Sequence, residues 1–253
     1  MWFTVDYFLR YENFVPQFFG KWPFVRFFGI QEPLSALASL GNLLSHLYSL
    51  NKMRKTISAR APFKLLWYTF GLVSVNAWLW STIFHSRDFD YTEKMDYFCG
   101  FSLVLFQFNA FFIRLLKLKK TFISNLFMYA ISVACAIFFY KHIYFLSYIH
   151  FDYGYNMKVN IMFGGLNSLC WLTWSVYQYF YLNKKYVLNC AISIILVDVF
   201  MLLEVLDFEP IYWTVDAHSL WHISTICIPF FWYQFLIDDN YRIDLDSFHN
   251  KKT

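Results

Sequence analysis

The sequence has few charged residues for its length. Only 15% of the 253 residues are charged, whereas 58% are hydrophobic and 24% are aromatic. A soluble domain of this size cannot bury so much apolar surface, so the composition excludes an ordinary soluble fold and indicates an integral membrane protein. The formal net charge of +4 is modest and gives no indication of a nucleic-acid partner.

Several sequence patterns that would indicate other classes of protein are also missing. No two cysteines form a Cys-x-x-Cys pair, and each cysteine falls within an apolar stretch, which favours small buried thiols over a disulfide framework. The N-terminus has no basic region followed by an apolar one, so we expect no cleavable signal peptide. Internal repeats and low-complexity segments are absent as well.

The sequence does contain seven long apolar stretches after an aromatic N-terminal segment. Most stretches reach the ~20 residues that a helix needs to cross ~30 Å of hydrocarbon. Runs of this length and continuity predict helices rather than barrel strands, because a helix satisfies its own backbone hydrogen bonds. We therefore predict an all-α fold, a seven-transmembrane helix bundle. The stretches run approximately from Pro33 to Leu50, Pro62 to His85, Thr92 to Leu116, Phe122 to Phe145, Asn156 to Leu182, Tyr186 to Leu206 and Trp213 to Ile237.

Loop charges predict the orientation of this bundle. Cations concentrate in the loops after the first, third and fifth stretches, whereas the loops on the other side carry mainly Asp and Glu. The positive-inside rule then gives a lumenal N-terminus and a cytosolic C-terminus. We accordingly divide the chain into a lumenal interfacial segment (1–31), a seven-transmembrane catalytic domain (32–238) and a cytosolic tail (239–253).

Two polar pairs interrupt the apolar stretches at helical spacing. Ser81 and His85 lie four residues apart, as do His218 and His222. This spacing places both members of a pair on one face of a helix, about 6 Å apart along the axis. The predicted topology brings His85, His218, His222 and Asp96 to the same, lumenal side. Three histidines with one open position are typical of catalytic zinc, and ionisable residues inside a membrane span indicate a functional site.

Other polar residues in these regions allow two interpretations each. Asp216 is either a partner of the nearby histidines or a solvated loop carboxylate. Glu204 and Asp198 form either hydrogen bonds inside the bundle or contacts with a substrate headgroup. The run from Arg87 to Lys94 is either a charged turn or a recognition element for a glycan or phosphate.

Four motifs together resemble the Per-like family, the post-GPI attachment to proteins factor 3 group, where GPI is glycosylphosphatidylinositol. They are the stretches Asn76–Tyr97, Gly20–Arg26, Gly29–Pro33 and Asp216–Thr225. The wider CREST superfamily contains seven-helix membrane hydrolases, including alkaline ceramidases, and also the progestin/adipoQ receptors. Its shared pattern is a Ser and a His four residues apart, an Asp, and two His four residues apart. The matching residues here are Ser81, His85, Asp96, His218 and His222.

The resemblance implies a phospholipase A2-type hydrolase that removes the sn-2 acyl chain from GPI anchors on proteins, in the endoplasmic reticulum or Golgi membrane. We expect His85, His218 and His222 to bind Zn²⁺ and Asp96 to accept a proton from water. Ser81 would donate a hydrogen bond to the developing oxyanion or act as the nucleophile. The alternatives are an alkaline ceramidase-like amidase and a non-catalytic seven-helix receptor or chaperone with a structural metal.

Overall fold

The protein is all-helical over the part of the chain that the structure, a computed structural model, describes: residues 2–18 and 21–249. Nine α-helices occur in these ranges and no strand does. A π-helical turn, Phe145–Ile149, extends the fifth helix, and a 3₁₀ turn, Lys185–Val187, precedes the seventh. The helices are α1 Trp2–Tyr11, α2 Pro33–Thr56, α3 Lys64–Ser86, α4 Asp90–Lys117, α5 Phe122–Tyr144, α6 Tyr153–Phe180, α7 Leu188–Leu206, α8 Ala217–Thr225 and α9 Ile228–His249.

The seventh predicted stretch is divided into two helices. The break lies at residues 226–227, just before Pro229. A proline inside a helix has no N–H to donate, and its ring clashes with the carbonyl four residues earlier, so the helix is interrupted there. Beyond the break, α9 continues without interruption past Ile237 to His249. Residues 239–249 of the predicted cytosolic tail are therefore helical, and residues 250–253 lie outside the described residues.

Successive long helices alternate in direction, so the bundle has two ends. At one end, which we call the site end, the Glu32 amide donates to the carbonyl of His85 (3.0 Å). At the opposite end, the Tyr68 hydroxyl donates to the carbonyl of Arg54 (3.3 Å). The site end therefore carries the end of α3, the starts of α4 and α8, and the residues just before α2.

Four helical segments of the described chain are long and apolar enough to cross a membrane by length and composition. They are Asp90–Lys117, Phe122–Ile149, Lys185–Leu206 and Ala217–Leu245. Helices α2, α3 and α6 are also long, at 24, 23 and 28 residues, but none of them contains a continuous stretch as apolar as those four segments. The structure thus shows a helical membrane protein, while seven spans and the orientation of the termini stay predictions.

The polarity of α2 is distributed in a way that fits a lipid environment. Its Ser39 and Asn42 side chains are fully buried, whereas Leu37 and Leu44 are 66% and 56% exposed. The same arrangement occurs in α3 and α6, which bury Ser74 and Asn167 and expose leucines. Because the polar side chains face the protein and the apolar ones face outward, low average hydropathy does not prevent these helices from contacting lipid.

The N-terminal segment packs across the site end of the bundle. The Trp22 indole N–H and the Gln17 side-chain amide both donate to Asp207, which follows α7 (2.7 Å and 2.9 Å). The Val25 amide donates to the carbonyl of Trp213 (2.9 Å). These bonds fix the segment that leads into Glu32, although Gly20 of the motif noted above lies outside the described residues.

Candidate metal centre

Helices α3 and α8 carry the three histidines to one point. His85 lies in the last turn of α3, and α8 begins just before His218. Asp216 fixes that beginning, because its carboxylate accepts the Ser219 amide (2.9 Å) in a capping box. His218 and His222 consequently lie one turn apart on the face of α8 that meets His85. The sequence left Asp216 as either a partner of the histidines or a solvated loop carboxylate; it is buried and caps the backbone of their helix.

The three imidazole rings point their Nε2 atoms at one another. The Nε2 atom of His218 lies 3.3 Å from that of His85 and 2.8 Å from that of His222. One ligand atom from each of the three residues lies within 4.8 Å of the others. His85 and His222 are buried, whereas the side chain of His218 is 34% exposed, which leaves the cluster accessible from one side.

The outward nitrogens of the same rings contact hydrogen-bond acceptors. The Nδ1 atom of His85 lies 2.7 Å from a Glu32 carboxylate oxygen, and that of His218 lies 2.6 Å from Glu204. The Nδ1 atom of His222 has a longer contact, 3.4 Å, with the Ser39 hydroxyl. A proton on each Nδ1 satisfies these acceptors and directs the Nε2 lone pairs inward, the arrangement found for histidines that bind metals.

The donor set fits a tetrahedral metal ion. With Zn–N bonds of about 2.0–2.1 Å, two ligand nitrogens of a tetrahedral site lie about 3.3 Å apart. The His85–His218 distance equals that spacing, and the His218–His222 distance is shorter. Three inward lone pairs repel one another unless a cation or a proton lies between them. The chemistry of the cluster therefore suits a cation such as Zn²⁺, with room for one further ligand on the exposed side of His218.

The structure also places Ser81 and Asp96 beside the cluster. Ser81, one turn before His85 on α3, has its hydroxyl 3.1 Å from that of Ser39 and lies near the carboxylate of Asp96 on α4. Asp96 is close enough to His85 and His218 to interact electrostatically with both. The structure thus places all five candidate residues together at the site end.

Two residues of this site had no assigned role from the sequence alone. Glu32 precedes Pro33 at the start of α2, and Ser39 lies two turns into that helix. Glu32 could have been recognised as a site residue, because it is a carboxylate immediately before a long helix, on the side of the bundle where the histidines were expected. Ser39 could not, because a serine inside a helix has no comparable feature in the sequence. Glu204, for which the sequence allowed a hydrogen bond inside the bundle or a contact with a headgroup, forms hydrogen bonds inside the bundle, and its partner there is His218.

The remaining polar candidates lie apart from the cluster. Asp198 accepts a hydrogen bond from Ser168 (2.6 Å). His46 contacts the Tyr233 hydroxyl (3.2 Å), and His142 contacts Asn156 (3.2 Å). Both histidines are buried, His46 at 7% and His142 at 1% exposure. Among the described residues, His85, His218 and His222 form the group with metal-binding geometry.

Comparison with curated proteins finds relatives that match this chain over nearly its full length. A protein from Danio rerio named GPI-specific phospholipase A2-like PGAP3 is 41% identical over 96% of this chain and 75% of its own length. The Homo sapiens protein of the same name is 40% identical over 95% of this chain and 73% of its own length. Post-GPI attachment to proteins factor 3 of Drosophila melanogaster is 36% identical, covering 92% and 70%.

Comparison with protein families agrees with these relatives. No solved structure is significantly similar, so the family rests on sequence. The sequence profile of the Per1-like family matches residues 1–240, which include the whole histidine cluster and the helices that carry it. The chain therefore belongs to the Per1-like family.

Proposed function

We propose that this protein is a hydrolase that removes the sn-2 acyl chain from GPI anchors on proteins. The single observation that carries this proposal is the inward-facing His85, His218 and His222 cluster with Ser81 and Asp96 beside it. The names of the relatives supply the substrate class, because they describe a GPI-specific phospholipase A2-like protein. The helical membrane fold agrees with a lipid substrate.

The three histidines would hold Zn²⁺ through their Nε2 atoms. Bound zinc supplies Lewis-acid polarisation of an ester carbonyl and acidifies water at the site. Glu32 and Glu204 orient His85 and His218 by accepting their Nδ1 protons (2.7 Å and 2.6 Å). Such contacts raise the basicity of the ligating nitrogen and restrain the ring, so both carboxylates belong to the working site.

Asp96 and Ser81 complete the proposed chemistry. Asp96 accepts the proton of the attacking water, since its carboxylate lies beside the cluster and near the Ser81 hydroxyl. Ser81 donates a hydrogen bond to the ester oxygen as negative charge develops on it. Ser39, 3.1 Å from Ser81, contacts this hydroxyl and limits the directions it can take.

The position of the site suits an ester in a lipid. His85, His218 and Asp96 lie one or two turns from the ends of their helices at the site end. This is the depth at which the hydrocarbon core ends, about 15 Å from the midplane, and acyl esters begin. With the orientation predicted from loop charges, the site faces the lumen of the endoplasmic reticulum or Golgi.

The decisive experiment incubates the purified protein with a GPI-anchored protein and analyses the released lipid by mass spectrometry. We expect a free fatty acid from sn-2, and zinc in the purified protein by elemental analysis. Release of a fatty acid only from ceramide would instead favour an amidase. Bound zinc without turnover of either lipid would favour a receptor or chaperone in which the metal is structural.

The same assay separates the two roles of Ser81. Loss of an oxyanion donor in the Ser81→Ala variant lowers kcat by about 100- to 1,000-fold and leaves residual turnover. A nucleophilic Ser81 requires a covalent acyl-enzyme, which mass spectrometry of the intact wild-type protein after rapid quenching detects. We expect residual turnover and no acyl adduct.

A further inference from the structure

A cleft lies at the site end, on the outer side of the metal centre. It has a volume of about 500 Å³, within the range of ligand-binding clefts. Its walls come from three parts of the chain: the N-terminal segment, the turn between α3 and α4, and the connection from α5 to α6. The charged run from Arg87 to Lys94, for which the sequence left two interpretations open, supplies one wall.

Carboxylates line this cleft in excess over cations. Asp88, Asp90 and Glu93 contribute three carboxylates, and Lys21 contributes one ammonium. Lys21 is already engaged, because its Nζ atom lies 2.6 Å from Asp88 and 3.0 Å from Glu93. Burial by itself would lower the pKa of Lys21, but the hydrogen bonds and negative charges of these two acids have the larger effect and hold the pKa above its ordinary value. The cleft therefore offers hydrogen-bond acceptors and repels anions such as phosphate.

Aromatic rings form the rest of the lining. Phe18 and Tyr153 are 37% and 53% exposed, and Phe151 is half-buried. Phe151 is held in place by stacking on Tyr97, with ring centroids 5.3 Å apart and planes 13° from parallel. This stacking covers one face of the Phe151 ring, and the Lys94 Nζ atom lies 5.8 Å from the ring centroid. Apolar aromatic surface next to acceptor oxygens matches a sugar ring, which has C–H groups on its faces and hydroxyl donors around its edge.

The cleft is connected to the metal centre by a chain of hydrogen bonds. The Tyr153 hydroxyl, in the cleft, donates to one carboxylate oxygen of Glu204 (3.3 Å). The other oxygen of Glu204 lies 2.6 Å from the Nδ1 atom of His218. The cleft and the metal centre are therefore neighbours, separated by the side chains of Tyr153 and Glu204.

We infer that this cleft is the subsite for the sugar residues of the GPI headgroup, bound by stacking on Phe151 and by hydrogen bonds from sugar hydroxyls to Asp90 and its neighbouring carboxylates. The inference rests on the proposed function, because it takes the glycan as part of the substrate. It assigns glycan recognition to the α3–α4 turn with the first turn of α4, and to the residues around the start of α6. The acyl ester would reach the histidines while the phosphate stays outside the acidic cleft.

The test measures binding of a lipid-free, phosphate-free GPI glycan to the full chain in detergent, by saturation-transfer NMR titration. Asp90→Asn and Phe151→Leu are the test variants. Asp90 is exposed at the first turn of α4, so its variant should fold even if the Phe151 variant does not. Asp238→Asn and Phe122→Leu make the same changes at the opposite end of the bundle and serve as matched controls.

We expect saturable glycan binding to the wild type, about tenfold weaker binding to each test variant, and unchanged binding to the controls. With a GPI-anchored protein as substrate, the test variants should raise KM about tenfold and change kcat less than twofold. Equal glycan affinity in the wild type and test variants, or no saturable binding at all, overturns the subsite. If the variants weaken glycan binding but the wild type releases no fatty acid, the subsite holds and the proposed hydrolase function fails.

Discussion

Both ends of the bundle bury charged side chains, but they use them differently. At the opposite end, Arg114 on α4 forms two hydrogen bonds to Asp239 on α9 (2.7 Å and 2.6 Å). Tyr186 donates a third bond to the same carboxylate (2.8 Å), and the guanidinium lies 4.1 Å from the ring centroid of Trp174. At the site end, three imidazoles direct like lone pairs at one another.

The difference lies in how completely the polar groups of the two networks are paired. The Arg114–Asp239 pair matches each charge with an opposite charge and with donors of suitable geometry, so it links α4, the 3₁₀ turn and α9. The histidine cluster is matched only on its outer side, by Glu32, Glu204 and Ser39. Burying polar groups whose inner side faces only one another is costly, so this side of the cluster suits a cation or a proton.

The largest effect should follow removal of a histidine. His218→Ala should abolish zinc binding and lower GPI hydrolysis to background, because one of three nitrogen ligands is lost. Elemental analysis and fatty-acid release measure the two effects. His150→Ala, which changes an exposed histidine outside the cluster, is the matched control. Full activity of His218→Ala would remove the metal from the mechanism.

Breaking the opposite network should affect stability rather than chemistry. Asp239→Asn leaves Arg114 buried without a countercharge, which should lower the free energy of unfolding by about 3–5 kcal/mol. Thermal unfolding in detergent should show a lower Tm, while activity per folded molecule and zinc content stay at wild-type values. Asp238→Asn, next in the sequence, should change the Tm little. Loss of zinc from the folded Asp239→Asn variant would contradict the view that the network at this end acts on stability and not on the metal centre.

Replacing the carboxylate behind His218 should weaken metal binding without preventing it. Glu204→Gln keeps the shape of the side chain but removes the charge that supports the imidazole (Nδ1 2.6 Å from the carboxylate). We expect zinc affinity to fall by about 10- to 100-fold and excess zinc to restore most of the activity. Competition with a chelator measures the affinity, and Glu209→Gln, at an exposed acid, is the control. An unchanged affinity would show that Glu204 does not act through His218.

The smallest effect should come from Ser39→Ala. The contact of Ser39 with His222 is long, at 3.4 Å, and a neutral hydrogen bond contributes about 1 kcal/mol. Zinc affinity should therefore fall less than tenfold. A chelator titration beside Glu204→Gln compares the two directly, and a larger loss for Ser39→Ala would reverse the order of importance assigned to the acceptors around the cluster.

The helical positions and the histidine pairs could be predicted from the sequence because their causes are local. Long apolar runs specify membrane helices, and spacing of four residues places His218 and His222 on one face. The break between α8 and α9 is less predictable, because Pro229 can either kink a helix or end it. Ser39 could not be predicted, since a serine in an apolar helix gives no indication of which neighbour it meets.

The sequence by itself determined that the chain forms apolar helices and that two of them carry polar pairs at helical spacing, since both properties depend only on neighbours along the chain. The tertiary structure decided which ring nitrogen of each imidazole contacts a hydrogen-bond acceptor and which one points toward the other histidines. Glu32 and Glu204 are 53 and 14 residues from the histidines they contact. Only the packing of the N-terminal segment and α7 around the ends of α3 and α8 brings these acids to the outer nitrogens, leaving the inner ones directed at a common point.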